Sequence, residues 1–302
     1  MRRVSRPDRV TDPFEAQRPR LLRLAYRMLG SVGEAEDVVQ DAWLRWRRFD
    51  GVVDHPAAFL SRIVTRLCLD VMKSARVRRE TYVGEWLPEP LFDPAEENEP
   101  ADDLTMTLML ALERLSPLER AAFLLHDVFG VALNDVATTL DRDAGAVRQL
   151  AVRARKHVHD ARPRFPVDQQ EADRIAEAFF TASRSGDTKA LQALLADNVV
   201  LHSDGGGRVL AFRNPIIGID RMLRLFAGLY RKFGEQGMVM IRPVWIDGLP
   251  GYVSSERGEI LQTTALAIEN GRIAGIYVMR NPDKLKHVAL ALATEGQSGL
   301  PH

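Results

Sequence analysis

Five polar side chains in one short stretch have types and spacing suited to reading DNA. Arg148, Gln149, Arg153, Arg155 and Lys156 lie in LNDVATTLDRDAGAVRQLAVRARKHVH, which runs from Leu133 to His159. Guanidinium and amide groups on the outer face of a helix reach base edges in a major groove, while flanking cations neutralise phosphates. A solvated helix face in an ordinary bundle has the same composition, so the elements around the stretch have to decide. A second set of residues suits acid–base chemistry: His202, Asp204 and Asp247 fall at or beside β-rich segments. A histidine on a strand is more often a satisfied hydrogen-bond partner than a catalyst, and DGGG (Asp204 to Gly207) reads first as a turn or bulge where backbones approach closely. The single cysteine, Cys68, sits in the apolar pattern IVTRLCLDVM and reads as a packed core thiol; it excludes an internal disulfide framework. No His/Asp/Glu cluster has metal-ligand spacing, and neither a metal nor a cofactor is expected.

The DNA-reading stretch needs two helices about a tight turn. Leu133, Val136, Ala137 and Leu140 follow the i, i+3, i+4, i+7 spacing of a half-buried helix. Asp141-Arg142-Asp143 breaks that pattern and offers short carboxylates to cap a second helix, whose buried face is Val147, Leu150, Ala151 and Ala154. Upstream, FEAQRPRLLRLAYRMLG predicts a helix ended by Gly30, and GEAEDVVQDAWLRWRRF a second with its apolar stripe at Ala35, Val38, Val39 and Ala42. AAFLSRIVTRLCLDVMKSARVRR predicts a third, ending in a basic run from Lys73 to Arg79.

Charge is patterned although it sums to zero over 302 residues. Residues 1–80 carry 17 Lys/Arg against 11 Asp/Glu, residues 81–103 carry eight acidic residues and no basic one, and residues 104–164 carry nine basic against seven acidic. Two basic blocks thus flank an acidic connector. No apolar run approaches the length of a membrane span and the N-terminus lacks a signal-peptide core, so a cytoplasmic protein is expected.

Residue order makes the helical half specific. FEAQRPRLLRLAYRMLGSVGEAEDVVQDAWLRW and HPAAFLSRIVTRLCLDVMKSARVRRE resemble region 2 of sigma-70-type transcription initiation factors of the extracytoplasmic-function group. LSPLERAAFLLHDVFGVALNDVATTLDRDAGAVRQLAVRARKHV resembles region 4 of the same group, a helix-turn-helix. The resemblance implies that Asp37, Gln40 and Asp41 dock on the β′ clamp helices of core RNA polymerase, with the β flap as a further polymerase contact. It implies that Arg62, Arg66, Asp70, Lys73, Arg76, Arg78 and Arg79 serve the melted −10 strand, where bases flipped from the stack are held in a basic groove. Arg148, Gln149, Val152 and Arg153 would face the −35 major groove, with Arg155 and Lys156 on phosphates.

YVGEWLPEPL, in the connector, resembles a linker signature of one subgroup of these factors that carries a large C-terminal extension. Beyond Arg162-Pro163, DQQEADRIAEAFFTASRSGDTKALQALLA predicts two helices. VVLHSDGGGRVL, GMVMIRPVWIDG, GYVSSERGEILQTTALAIENG and RIAGIYVMRNP predict strands, with a hairpin at Asn270-Gly271. Helices followed by a curved antiparallel sheet resemble the α+β SnoaL-like cone. DGGGR (Asp204, Gly205, Gly206, Gly207, Arg208) and NPDKL (Asn281, Pro282, Asp283, Lys284, Leu285) look like the two short motifs of that subgroup, although Arg208 stands where the pattern more often has Lys. With Trp86, Leu87 and Pro88 of the linker they form the expected regulatory interface.

The expected organisation is therefore multidomain: an all-α region 2 over 10–80, an acidic linker over 81–103, region 4 over 104–162, a SnoaL-like regulatory domain over 168–286 and a tail over 287–302. The expected function is that of an alternative sigma factor that binds core RNA polymerase and promoter DNA. Its C-terminal domain would control it in cis by contacting regions 2 and 4 and the linker, with a small-molecule ligand in the cone able to shift the balance. It is not expected to be an enzyme. The alternatives are a DNA-binding regulator carrying a catalytic or ligand-sensing SnoaL-like domain, and a helix-turn-helix repressor; EAEDVVQDAWLRW argues against the latter.

Overall fold

The computed structural model describes residues 13–80, 82–92, 106–159 and 168–298; of the side chains of 75–80, 159 and 295–298 nothing is stated. The chain forms two compact units, one of residues 1–78 with 112–160 and one of residues 79–111 with 161–302. The unit boundaries therefore assign the linker to the C-terminal half.

The first unit is helical. Helix α1 (Pro13–Leu29) stops at Gly30, whose left-handed backbone sends its N–H to Tyr26 O. Ser31 caps α2 (Val32–Arg48), accepting the Glu34 N–H at 3.3 Å. The predicted stripe of α2 is buried at Ala35, Val38, Val39 and Ala42. Helix α3 (Pro56–Glu80) packs Leu60, Val64, Leu67 and Cys68 inward; burial raises the Cys68 thiol far above its usual range, as suits a core thiol. Helix α4 (Met106–Glu113) leads to Ser116, which forms a reciprocal capping box with Glu119 at the head of α5 (Pro117–Phe123). A π-turn over Leu124–Val128 follows, then α6 (Leu133–Leu140) and α7 (Ala144–His159).

Arg120 joins the two halves of this unit. It is 1% exposed, and its Nε donates to Leu112 O at 2.9 Å. Its Nη1 donates to Met28 O at 2.8 Å and meets Glu113 Oε1 at 2.6 Å. A buried guanidinium is tolerated because these acceptors replace its water. Arg20 adds a second tie, donating to Phe129 O at 3.3 Å, and both Arg20 and Arg27 lie over the Phe129 ring.

The second unit is a curved sheet with three helices packed on one face and one against the other. Helices α8 (Gln169–Ser185) and α9 (Thr188–Leu194) are capped by Asp168 and Asp187 and separated by left-handed Gly186. Strands β1 (Leu195–Asp204) and β2 (Ile216–Ile217) precede α10 (Ile219–Phe233). Four strands follow: β3 (Met238–Ile246), β4 (Leu249–Glu256), β5 (Ile260–Glu269) and β6 (Arg272–Met279). Helix α11 (Lys286–Ser298) ends the described chain.

The strand order is β2-β1-β6-β5-β4-β3. The sheet departs from the antiparallel expectation at one place: β1 pairs parallel with β6, Leu201 opposite Ile276 and Asp204 opposite Met279. A parallel pair needs a long crossover, and α10 with the four strands β2 to β5 supplies it. The β5–β6 hairpin turns on Asn270 and Gly271, both at positive φ, as the Asn-Gly pair predicts. Helix α10 falls in residues 211–236, which the sequence reading leaves unassigned.

Two cores flank the sheet. Phe179, Phe180, Leu201, Met222, Phe226, Tyr252 and Ile276 pack under α8–α10. On the other face Ile246, Val253, Ala265, Tyr277 and Met279 pack with Leu285 and Val288 and, from the linker side, with Leu87 and Met106. Among the described residues no helix is long and apolar enough to cross a membrane.

Candidate nucleic-acid interface and linker seat

The helix-turn-helix has the expected build. Asp141 ends α6 in the left-handed conformation, and the Asp143 carboxylate accepts the Ala146 N–H at 2.8 Å at the head of α7. Val147, Leu150, Ala151 and Ala154 are buried, which leaves Arg148, Gln149, Val152, Arg153, Arg155 and Lys156 all on the exposed side. Two of these cations already have partners. Arg153 Nε lies 2.7 Å from Glu119 Oε1, and Arg155 Nε lies 2.7 Å from Asp127 Oδ1. Burial raises the Glu119 carboxyl, but hydrogen bonds from Ser116 and Arg153 outweigh it, so its pKa lies below the usual carboxylate value. These acidic partners carry no local signal in the sequence, because helix contacts made through the fold bring them into place.

On α2, Asp37, Gln40 and Asp41 are exposed on one face. Leu44, 38% exposed, continues that face at the i, i+3, i+4, i+7 spacing and was not singled out by sequence. Among the −10 candidates, Arg66 donates to the carbonyls of Thr139 (3.2 Å) and Thr138 (3.4 Å). It thus satisfies orphan carbonyls at the C-terminus of α6 through two of its three nitrogens. Asp70 and Lys73 pair with each other at 2.9 Å in solvent. Arg62 is half-buried, its Nε without a hydrogen bond. The side chains of Arg76, Arg78 and Arg79 lie outside the described residues.

The other motifs converge on the linker. Asp204, 0% exposed, is the hub. Its Oδ1 accepts from Tyr82 OH at 2.6 Å and from Gly206 N at 2.9 Å. Its Oδ2 accepts from Leu87 N at 2.9 Å and pairs with Lys284 Nζ at 2.8 Å. Lys284 also donates to Leu87 O at 2.5 Å and lies 4.0 Å from the Trp86 ring centroid and 5.0 Å from that of Tyr82. Leu87 thus has both backbone groups bonded to the domain while its side chain enters the core. Burial, and then the bond to Asp204, push the Tyr82 hydroxyl above its usual range.

The glycines of DGGGR are a steric necessity. A Cβ on Gly205 would sit 2.1 Å from Val209 O, and one on Gly206, at φ 60°, would sit 2.3 Å from Asn281 Nδ2. That Asn281 amide donates to Tyr82 OH at 2.8 Å. Gly207 lies against Val83 of the linker. Arg208 and Asp283 approach at 3.5 Å, a solvated contact of little weight, and Pro282 is exposed. Leu285 is buried beside Leu87, and Pro88 is buried. Further along the linker, His287 bonds Pro90 O at 2.7 Å, Asp247 accepts the Leu91 N–H through Oδ2 at 3.2 Å, and Phe92 bridges to Ile246.

His202, Asp204 and Asp247, the acid–base candidates, therefore all hold the linker. His202 Nδ1 lies 2.6 Å from Glu85 Oε1, and the ring stacks on Tyr277 at 5.3 Å. Sequence reasoning missed Tyr82, Glu85 and His287. Tyr82 and Glu85 fall at or within the flagged YVGEWLPEPL run, whereas nothing local marks His287 as a linker ligand.

Comparison with known proteins agrees with both halves. The sigma-70 region 2 family matches residues 14–78 and the sigma-70 region 4 family residues 105–158. The chain is 36% identical over 286 residues to the ECF RNA polymerase sigma factor SigJ of Mycobacterium tuberculosis, covering 90% of this chain and 91% of that one. It is 32% identical over 290 residues to the probable ECF RNA polymerase sigma factor SigI of the same species, covering 93% and 97%. The crystal structure of M. tuberculosis SigJ superposes with a TM-score of 0.73 at 32% identity, over 90% of this chain and 97% of that chain. A helical region 2 and region 4 followed by a domain of helices on a mixed sheet, with likeness running through the whole length, place the chain among the extracytoplasmic-function RNA polymerase sigma factors.

Proposed function

We propose that this sigma factor directs core RNA polymerase to a bipartite promoter and that its own C-terminal domain sets its activity by holding the linker. The observation that carries this reading is the clamp on Leu87: Asp204 and Lys284 bond both of its backbone groups from within the domain. In this reading α7 reads the −35 element, the basic end of α3 serves the −10 strand, and the α2 face of Asp37, Gln40 and Asp41 docks on the β′ clamp helices. Regions 2 and 4 are tied together by Arg20, Arg66 and Arg120. The −10 and −35 elements lie apart on DNA, so promoter engagement separates the two regions and breaks those ties. A linker held on the cone restricts the tether that must pay out. The protein acts in the cytoplasm, where its polymerase and template are.

The test is run-off transcription with core polymerase, comparing the full chain with chains ending after residue 165 and after residue 286. Distinct activities on one promoter are expected. Equal transcription from all three would exclude control by the domain while leaving promoter recognition intact.

A further inference from the structure

A groove of about 270 Å³ lies between the start of the linker and the loop that follows β1. The linker supplies one wall. A Cβ on Gly207 would sit 3.0 Å from the Val83 Cβ, and one on Gly84, at φ 90°, would sit 4.0 Å from the Arg213 Cα. Val83, Leu210 and Phe212 bring apolar surface to the groove although they are 53%, 83% and 38% exposed. Arg208 and Arg213 bring positive charge. Arg213 is exposed and in no ion pair among the described residues, and Arg208 meets the solvated Asp283 carboxylate at 3.5 Å. Exposed apolar side chains beside two guanidiniums with so little compensating charge suit a ligand that is apolar at one end and anionic at the other.

We propose that this groove binds an organic carboxylate whose apolar body is about two fused rings, and that the bound ligand holds the linker on the domain. An apolar cavity of about 150 Å³ accommodates one benzene ring, so the groove has room for two. A carboxylate matches the planar fork of a guanidinium, and the rings cover Val83, Leu210 and Phe212. The hold follows from the composite wall. Val83 and Gly84 leave the groove when the linker leaves the domain, so the ligand has higher affinity for the held arrangement. Such a difference in affinity is what a ligand needs to shift the balance. The lining is also distinct from that of the apolar cavity under α8–α10, with which it shares Ser203 and Phe212 alone.

The inference rests on the reading of the linker as the controlled element. The test titrates the full-length protein with 2-naphthoate, its neutral analogue 2-naphthamide and inorganic phosphate, read by calorimetry and by limited proteolysis of the linker. Saturable, salt-sensitive binding of naphthoate is expected, with naphthamide roughly 2–30-fold weaker, the fold-change of two exposed ion pairs. Phosphate, which lacks the apolar body, should bind more weakly than either. At 100 times its dissociation constant naphthoate should slow linker cleavage about 100-fold where cleavage is slower than reclosing. Arg213→Gln should bring naphthoate toward the level of naphthamide. Val83→Glu sets a like charge on the exposed linker wall and should weaken naphthoate about tenfold or more. Absence of saturable binding, equal affinity for naphthoate and naphthamide, phosphate binding as tight as naphthoate, unchanged binding by Val83→Glu, or a linker cut as fast with ligand as without would each overturn the proposal. Equal transcription from the three chains of the truncation test would instead remove control by the domain and leave ligand binding and linker protection standing.

Discussion

Arg153 and Lys156 sit three residues apart on the exposed side of α7, yet they should fail differently when removed. A bidentate arginine contact to guanine contributes about 1–3 kcal/mol of discrimination, whereas a lysine on phosphate contributes affinity alone. Arg153→Ala should therefore cut initiation at the cognate promoter by roughly 10–100-fold and flatten its preference over mutated −35 elements. Lys156→Ala should lower binding evenly across sequences and reduce the salt dependence. Competition binding over a panel of −35 variants at two salt concentrations separates the two. At the linker seat, Lys284→Met leaves the fully buried Asp204 carboxylate without its cation. Removing one partner of a buried pair costs about 3–5 kcal/mol. The expected result is faster amide exchange at Leu87 and faster proteolysis of the linker, with the sheet still folded by circular dichroism.

The elements differ in how far their own sequence determines them. The face of α7, the Ser31 and Asp143 caps, and the Asn270-Gly271 hairpin follow from local rules and are legible from period and turn chemistry. Helix α10 obeys the same rules, with Met222, Leu225, Phe226 and Leu229 at helical spacing between Gly218 and Gly234, so its omission is a failure of reading and not of signal. The parallel β1–β6 pair is different in kind, since no local pattern says which distant strand will lie alongside. The same holds for the linker seat, where Asp204 meets a tyrosine and a leucine more than a hundred residues upstream. The motifs announced that something binds there, and only the fold shows what.

At the element scale Arg120→Met should destabilise the helical unit by about 3–5 kcal/mol, because Glu113 and two carbonyls lose their donor together; urea denaturation of the full chain measures it. The head of α5 should be acid-sensitive. The folded pKa of Glu119 lies below its unfolded value, so its contribution is present above the unfolded carboxylate pKa and fades as pH falls through the folded one. Glu119→Gln should flatten that part of the stability–pH curve.

For the whole molecule, the linker seat has two ends that truncation separates. A chain ending after residue 286 keeps Asp204 and Lys284 at the Leu87 end but loses His287, which holds Pro90 O, and Val288 beneath it. A chain ending after residue 165 loses the seat altogether. Linker proteolysis should therefore rise in two steps, from full length to the 286 truncation to the 165 truncation, and a single step would place the whole hold at one end. The seat also imposes an order in time. Lys284 follows Leu87 by 197 residues, and β6 must lie beside β1 before the Asp204 pocket closes. At about 5–20 residues per second, a ribosome takes roughly 10–40 s to reach one from the other. Under the proposed control, each newly made chain would pass through a window in which its region 2 and region 4 helices exist and the linker hold does not, so slow translation of the last third of the message should lengthen the period before the linker is held.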